Sequence, residues 1–201
     1  MEEAKLLVES FVAMKYLDHI SKYIEQERDL LGSIDTCQIR DAIKIIEKAR
    51  VDGKHIFVMG NGGSSTTASH FCCDFNNAVH KNVHPKFKFI CLNDNIPTML
   101  AYANDMSFDD IFVLQLKNLL EQGDVIIGIS SRGNSTNVVR ALQWGKQNGA
   151  ITIALTGFDG GLCREIADCE INIPSNNIQH VEDLHIMLNH CMLSAFFSFC
   201  E

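Results

Sequence analysis

Two stretches rich in glycine and hydroxyl side chains carry the clearest chemical signal in this chain: Gly60-Asn61-Gly62-Gly63-Ser64-Ser65 and Ser130-Ser131-Arg132-Gly133-Asn134-Ser135. Each follows a short apolar run and precedes residues with helical periodicity. Turns of this kind hold anions. Glycine lets the backbone approach closely, hydroxyls donate without bulk, and the N–H groups opening the next helix face negative charge. The first turn lacks the Gly-Lys-Ser/Thr of a Walker loop and the spacing of a dinucleotide fingerprint. Two such turns in one chain therefore read as a phosphate or sugar site. A third, Thr156-Gly157-Phe158-Asp159-Gly160-Gly161, reads as structural, bordering the site.

Four more residues suit metal or proton chemistry. His70 and Asp74 are four apart on the helix expected after the first turn, so they share a face. Glu182 and His190 are eight apart on the last helix, again on one face. Two imidazoles and two carboxylates are a donor set for tetrahedral zinc. Spacing alone leaves the plainer reading open, that these are solvated surface residues. Glu182 and His190 also lie ~12 Å apart along a helix. They share one ion only if their side chains lean together or come from different subunits. His185 lies off that face.

The elements that position these residues follow from periodicity. Residues 4–31 place Leu7, Phe11, Met14, Leu17, Ile20, Ile24 and Leu31 on one helical stripe, which Gly32 ends. A second helix is expected over about 35–51, with Asp35 as N-cap. Apolar, β-branched runs then alternate with helical stretches. The runs are 55–59, 87–92, 125–129, 151–155 and 170–173; the helices are 65–79, 108–121, 135–148 and 178–199. Near-continuous apolar strands imply a parallel sheet covered on both faces. The expected fold is α/β, a doubly wound, five-stranded parallel sheet of flavodoxin type, preceded by two helices. Residues 1–52 are expected to form a helical oligomerisation segment and 53–201 the binding domain. In such folds ligands bind beyond the carboxyl ends of the strands.

Composition narrows the class. The chain has 201 residues, is 46% hydrophobic and carries a formal net charge of −8. Such an acidic chain gains nothing from the phosphate attraction behind nucleic-acid binding, so no nucleic-acid partner is expected. No apolar run approaches the ~18 residues of a membrane span, and the start does not look like a signal peptide. The eight cysteines form no C-x-x-C pair, which excludes a zinc ribbon or thioredoxin motif. They read as small core residues of a reducing compartment, and the expected location is cytoplasmic.

These motifs resemble the sugar isomerase (SIS) domain, and more narrowly the phosphoheptose isomerases. The resemblance rests on Gly60-Asn61-Gly62-Gly63-Ser64, on Ser130-Ser131-Arg132-Gly133-Asn134-Ser135, on Leu155 through Gly161, and on Asn104-Asp105-x-x-Phe108-x-Asp110-x-Phe112. It covers roughly residues 50–200. It implies aldose–ketose isomerisation of sedoheptulose 7-phosphate with a zinc ion, in a homotetramer with sites at subunit boundaries. By this likeness Asp74 is the base and His190 an acid or ligand. His70, Asp74, Glu182 and His190 hold the metal. Ser64, Ser130, Ser131 and Ser135 hold the phosphate, with Asn61, Gly62, Gly63, Arg132 and Glu182 lining the site and Asp105 on sugar hydroxyls.

Departures from the pattern matter. The family's helix reads His-Phe-x-x-Glu, whereas His70-Phe71-Cys72-Cys73-Asp74 ends in a shorter acid. A base reaching about 1 Å less is a displacement that can cost ~100-fold in rate. Glu182 stands where Gln is usual, Arg132 where Ser is common, and Asn76-Asn77-Ala78 where an Arg is usual. The Arg form of the second turn also resembles a replication-associated SIS protein that works by protein contact. A non-catalytic scaffold, or an isomerase of another sugar phosphate, is therefore the alternative. That scaffold relative lacks the acidic residue and the last His; this chain has Asp74 and His190.

Overall fold

A computed structural model describes residues 2–78 and 84–198, with side chains from residue 14 onward. Cys200, the stripe residues Leu7 and Phe11, and the expected helix ends at 79 and 199 fall outside what is described. The chain divides into two compact units, Met1–Ile34 and Asp35–Glu201. The first is one long helix, α1 (Glu2–Leu31), on which Met14, Leu17, Ile20, Ile24 and Leu31 are exposed.

In the second unit, α2 (Thr36–Val51) opens on Asp35, whose carboxylate accepts from the Cys37 N–H at 2.8 Å. Its apolar face, Ile39, Ala42, Ile46 and Ala49, is buried against the sheet. The compact unit that carries this helix starts at Asp35.

The rest follows the expected alternation: β1 (Ile56–Gly60), α3 (Gly63–Asn77), β2 (Phe89–Cys91), α4 (Ile96–Asp105), α5 (Val113–Leu119), β3 (Val125–Ser130), α6 (Thr136–Gln147), β4 (Ile151–Gly157), α7 (Gly161–Ile166), β5 (Cys169–Ile173) and α8 (Ile178–Ser198). The five strands are all parallel in the order β2-β1-β3-β4-β5. That is the flavodoxin-like order, with its switch point beside β1 and β3. Every residue of β1 and β3 is buried, as their unbroken apolar runs require.

Two helices lie where none was expected. α4 is capped by Asn95, whose side chain accepts from the Thr98 N–H, with Pro97 in its first turn. The short α7 follows the third turn. The expected helix at 108–121 splits into a 3₁₀ turn, Phe108–Asp110, and α5. The cysteines also divide. Cys72, Cys91 and Cys163 are buried, but Cys37, Cys73 and Cys191 are exposed. Position on a helix decides this: Cys73 lies next to Cys72 but points off the apolar face. Among the described residues no helix is long and apolar enough to cross a membrane.

His185 of α8 is buried, and its Nε2–H meets the Thr156 carbonyl of β4 at 3.0 Å. Burial pushes its imidazole down to about 4, and the Thr156 carbonyl opposes this only in part. The folded protein thus holds His185 neutral while the unfolded chain protonates it at about 6.5. Stability from this group is complete above about pH 6.5 and is lost as pH falls towards about 4, an effect on the order of 3 kcal/mol. Urea unfolding at about pH 7 and about pH 5 should show a smaller acid loss in His185→Gln than in the native chain. An equal loss in both would assign the acid sensitivity elsewhere.

Candidate active site

β1 and β3 are neighbours in register, Met59 opposite Gly128 and Gly60 opposite Ile129. The turns that follow them therefore open side by side. α3 starts directly on the first turn, with Gly62 as its N-cap at φ +54°. α6 starts on the second, with Ser135 as its N-cap. Both helix N-termini face a cavity of about 210 Å³ lined by Asn61, Ser64, Ile129, Ser130, Ser131, Arg132, Ser135, Ile178 and Glu182.

The turns are tied together. The Asn61 amide donates to Asn137 Oδ1 at 2.8 Å, and the Asn137 amide donates to Asn61 Oδ1 at 2.9 Å. Ser130 Oγ meets Ser135 Oγ at 3.1 Å across the second turn. The third turn buttresses the second, as expected: Cys163 N–H donates to the Gly133 carbonyl at 2.9 Å and Leu162 N–H to Asn134 Oδ1 at 3.1 Å. Contact is so close that a Cβ at Gly133, which has φ +67°, would sit 1.9 Å from the Gly160 carbonyl oxygen. Arg132 lines the cavity and stacks over Phe158 with its guanidinium carbon 5.2 Å from the ring centroid.

Glu182, near the start of α8, faces Gly63; a Cβ there would lie 2.2 Å from Oε2. Since both His70/His190 and Gly63/Glu182 meet, α3 and α8 run side by side in the same direction. Roughly two turns further along, ~12 Å from the cavity end, His70, Asp74 and His190 converge with ligand atoms all within 4.8 Å of one another. His70 Nε2 lies 3.2 Å and His190 Nε2 3.5 Å from Asp74 Oδ2, and the two imidazole nitrogens are 3.1 Å apart. Two Nε2 atoms and one carboxylate oxygen aimed at a common point form a donor set suited to a divalent cation of the zinc class.

Glu182 is not part of this cluster: the helical rise separates it from His190, and it lines the cavity between the two turns instead. Asp105 ends α4 exposed, accepts from the Asn104 amide at 2.8 Å and does not line the cavity. Asn76 clasps edge strand β2: its amide donates to the Phe89 carbonyl at 2.9 Å and its carbonyl accepts from the Phe89 N–H at 3.0 Å. Two further residues escaped sequence reading. Asn137 joins the turns. Asn189, fully buried on α8, donates to Asp74 Oδ2 at 2.6 Å. The available signal for Asn189 was an amide inside the apolar stripe Val181, Leu184, Leu188 and Met192.

A parallel doubly wound sheet with paired helix N-termini around a hydroxyl-lined cavity at its switch point defines an α/β protein with its ligand cleft at the carboxyl ends of the strands. The SIS domain family model matches residues 16–157. The phosphoheptose isomerase of Aliarcobacter butzleri is 34% identical over 173 residues, 85% of this chain and 91% of its own. That of Trichlorobacter lovleyi is 34% identical over 185 residues, 92% of this chain and 91% of its own. The solved phosphoheptose isomerase of Neisseria gonorrhoeae superposes with a TM-score of 0.84 at 27% identity, covering 93% of this chain and 99% of that one. This chain belongs to the SIS-domain family and, within it, to the phosphoheptose isomerases, and it is a sugar-phosphate isomerase.

Gly133 and Gly63, two of the glycines that face occupied space, should respond differently to substitution. Gly133→Ala drives a Cβ into backbone at a positive φ and should cost about 2–4 kcal/mol. Gly63→Ala meets only the movable tip of Glu182 and should stay within about 1 kcal/mol of the native protein. Urea midpoints test this, and similar midpoints for both variants would refute it.

Proposed function

We propose that this isomerase interconverts sedoheptulose 7-phosphate and a heptose 7-phosphate, with the phosphate in the two-turn cavity and proton transfer at Asp74 and His190. What supports this is the convergence of His70, Asp74 and His190 two helical turns from that cavity on the paired helices α3 and α8. A phosphorylated sugar would then have its charged end and its carbonyl end served by different stretches of the same two helices. The names borne by the relatives supply the carbon number.

In this reading Ser64, Ser130, Ser131 and Ser135, with the N-termini of α3 and α6, hold the phosphate. Arg132 adds a fixed positive charge. The Asp74 carboxylate removes a proton from the carbon beside the ketone, while His190 gives one to the carbonyl oxygen, leaving an enediol. Asp74 returns its proton to the neighbouring carbon. His190 recovers one from the other hydroxyl, and the aldehyde forms. Zinc, held by His70, Asp74 and His190, would supply polarisation of the substrate oxygen when bound. Glu182 belongs to the phosphate end, where its charge limits which anions fit, and Asp105 is left for contact with sugar hydroxyls. We place the enzyme in the cytoplasm, where its free thiols stay reduced.

Asp74→Asn should lower kcat by ~100-fold or more, and His190→Ala comparably. Proton exchange with solvent at the carbon beside the carbonyl, followed by NMR, reads this directly. Turnover at the native rate in Asp74→Asn would sink the assignment. A metal-replete protein inactive on seven-, six- and five-carbon sugar phosphates would sink the substrate class.

We also propose a homo-oligomer, a tetramer by analogy with SIS relatives, with residues 1–52 contributing. In support, Met14, Leu17, Ile20 and Ile24 on α1 and Ile96, Leu100, Met106 and Phe108 around α4 are exposed apolar residues that water alone would leave uncovered. Light scattering at micromolar concentration should give several times the 22.5 kDa of one chain; a monomer would overturn this.

A further inference from the structure

We infer that Asn189 is a positioning residue for Asp74: its buried amide determines which carboxylate oxygen faces the imidazole pair and which is left for substrate. The inference rests on the reading of Asp74 as the proton-transferring carboxylate. Three observations carry it. Asn189 is 0% exposed, and its Nδ2–H donates to Asp74 Oδ2 at 2.6 Å. That same Oδ2 is the atom 3.2 Å from His70 Nε2 and 3.5 Å from His190 Nε2. Asp74 Oδ1, by contrast, engages no group among the described residues.

The carboxylate torsion of an aspartate is broad and close to two-fold. Without a directional partner the two oxygens of Asp74 exchange places, and each spends part of its time facing the histidines. One amide bond removes that freedom. An sp² oxygen has two lone pairs, so Oδ2 accepts from Asn189 with one and turns the other towards the Nε2 atoms. Oδ1 then remains the unengaged basic oxygen, in a fixed direction. This matters more for Asp than for Glu, since a side chain one methylene shorter has fewer torsions with which to recover a misplaced oxygen.

Asn189 is poorly explained as a packing residue. Its own Oδ1 is buried and has no partner. Its helical neighbours Leu188 and Met192 are apolar and buried. A leucine at this position would match the surrounding stripe and leave no buried acceptor unpaired. Folding alone therefore favours an apolar side chain, and the bond to Asp74 is the one feature of Asn189 that leucine would not supply.

The test compares Asn189→Leu and Asn189→Ala with the native full-length chain by three measurements: Co²⁺ titration followed by visible absorbance, steady-state kinetics, and the Tm of metal-free protein. Metal-free Asn189→Leu should melt at or above the native temperature. Its Co²⁺ affinity and kcat should each fall about 10- to 100-fold, the range seen when the residues orienting a metal ligand are removed, with KM changed by less than about twofold. Asn189→Ala should lose function equally but melt lower. In an Asp74→Asn background, adding Asn189→Leu should cost nothing more in kcat, because the two act as one unit. Native kcat and native Co²⁺ affinity in Asn189→Leu would overturn the inference and leave the Asp74 assignment standing. A kcat loss from Asn189→Leu that persists in the Asp74→Asn background would also overturn it. Native turnover in Asp74→Asn alone would overturn both.

Discussion

The adjacency of β1 and β3 governs the rest of this molecule. The two strands pair in parallel over their whole shared length, so both of their turns leave the sheet at the same edge and at the same height. The chain between them is carried off to the other side of β1 as β2 and returns by way of α4 and α5. The gap above the two strand ends is the cavity, bordered by Ile178 and Glu182 of α8. Into that gap point the N-termini of α3 and α6 and the hydroxyls of Ser64, Ser130 and Ser135. The buried strands fix this arrangement through hydrophobic burial, and the cavity is what the arrangement leaves open.

A second consequence flows along α3 and α8. Both begin at the cavity and travel away from it together, so residues at matched heights on the two helices meet. Gly63 meets Glu182 at the cavity, and His70 meets His190 two turns later. Beyond that point aromatic packing locks the pair: Phe75 of α3 stacks on Phe89 of β2 with centroids 4.5 Å apart, and Phe196 of α8 packs edge-on to Phe75 at 5.6 Å. The His/Asp cluster is thus held between two anchors, a tight glycine contact on one side and an aromatic cluster on the other.

Much of this was legible from residue order. Unbroken apolar runs announced buried parallel strands, and Gly/Ser density at strand ends announced the cavity. Helical spacing placed His70 with Asp74. What spacing could not reveal was the height at which α8 stands against α3. Glu182 and His190 share a face, but the rise of the helix sends one to the cavity and the other to the imidazole cluster. α4 was missed although Asn95 and Pro97 mark its start. Asn137 and Asn189 were missed because a single amide has no periodicity. Its role appears only when a partner distant in sequence, Asn61 or Asp74, is brought beside it.

The reciprocal amide pair of Asn61 and Asn137 also bears on how the protein ages. Asn61 is followed by Gly62, a dipeptide in which the glycine nitrogen readily attacks the asparagine side chain, closing a succinimide and releasing ammonia. Here both polar atoms of the Asn61 amide are engaged by Asn137, so the carbonyl carbon is not free to swing back onto its own backbone. Conversion of Asn61 to aspartate would place a carboxylate oxygen against Asn137 Oδ1, two acceptors with no proton between them. The contact that joins the two turns therefore also shields the Asn61 amide from hydrolysis, and chemical damage there would part the turns that line the cavity.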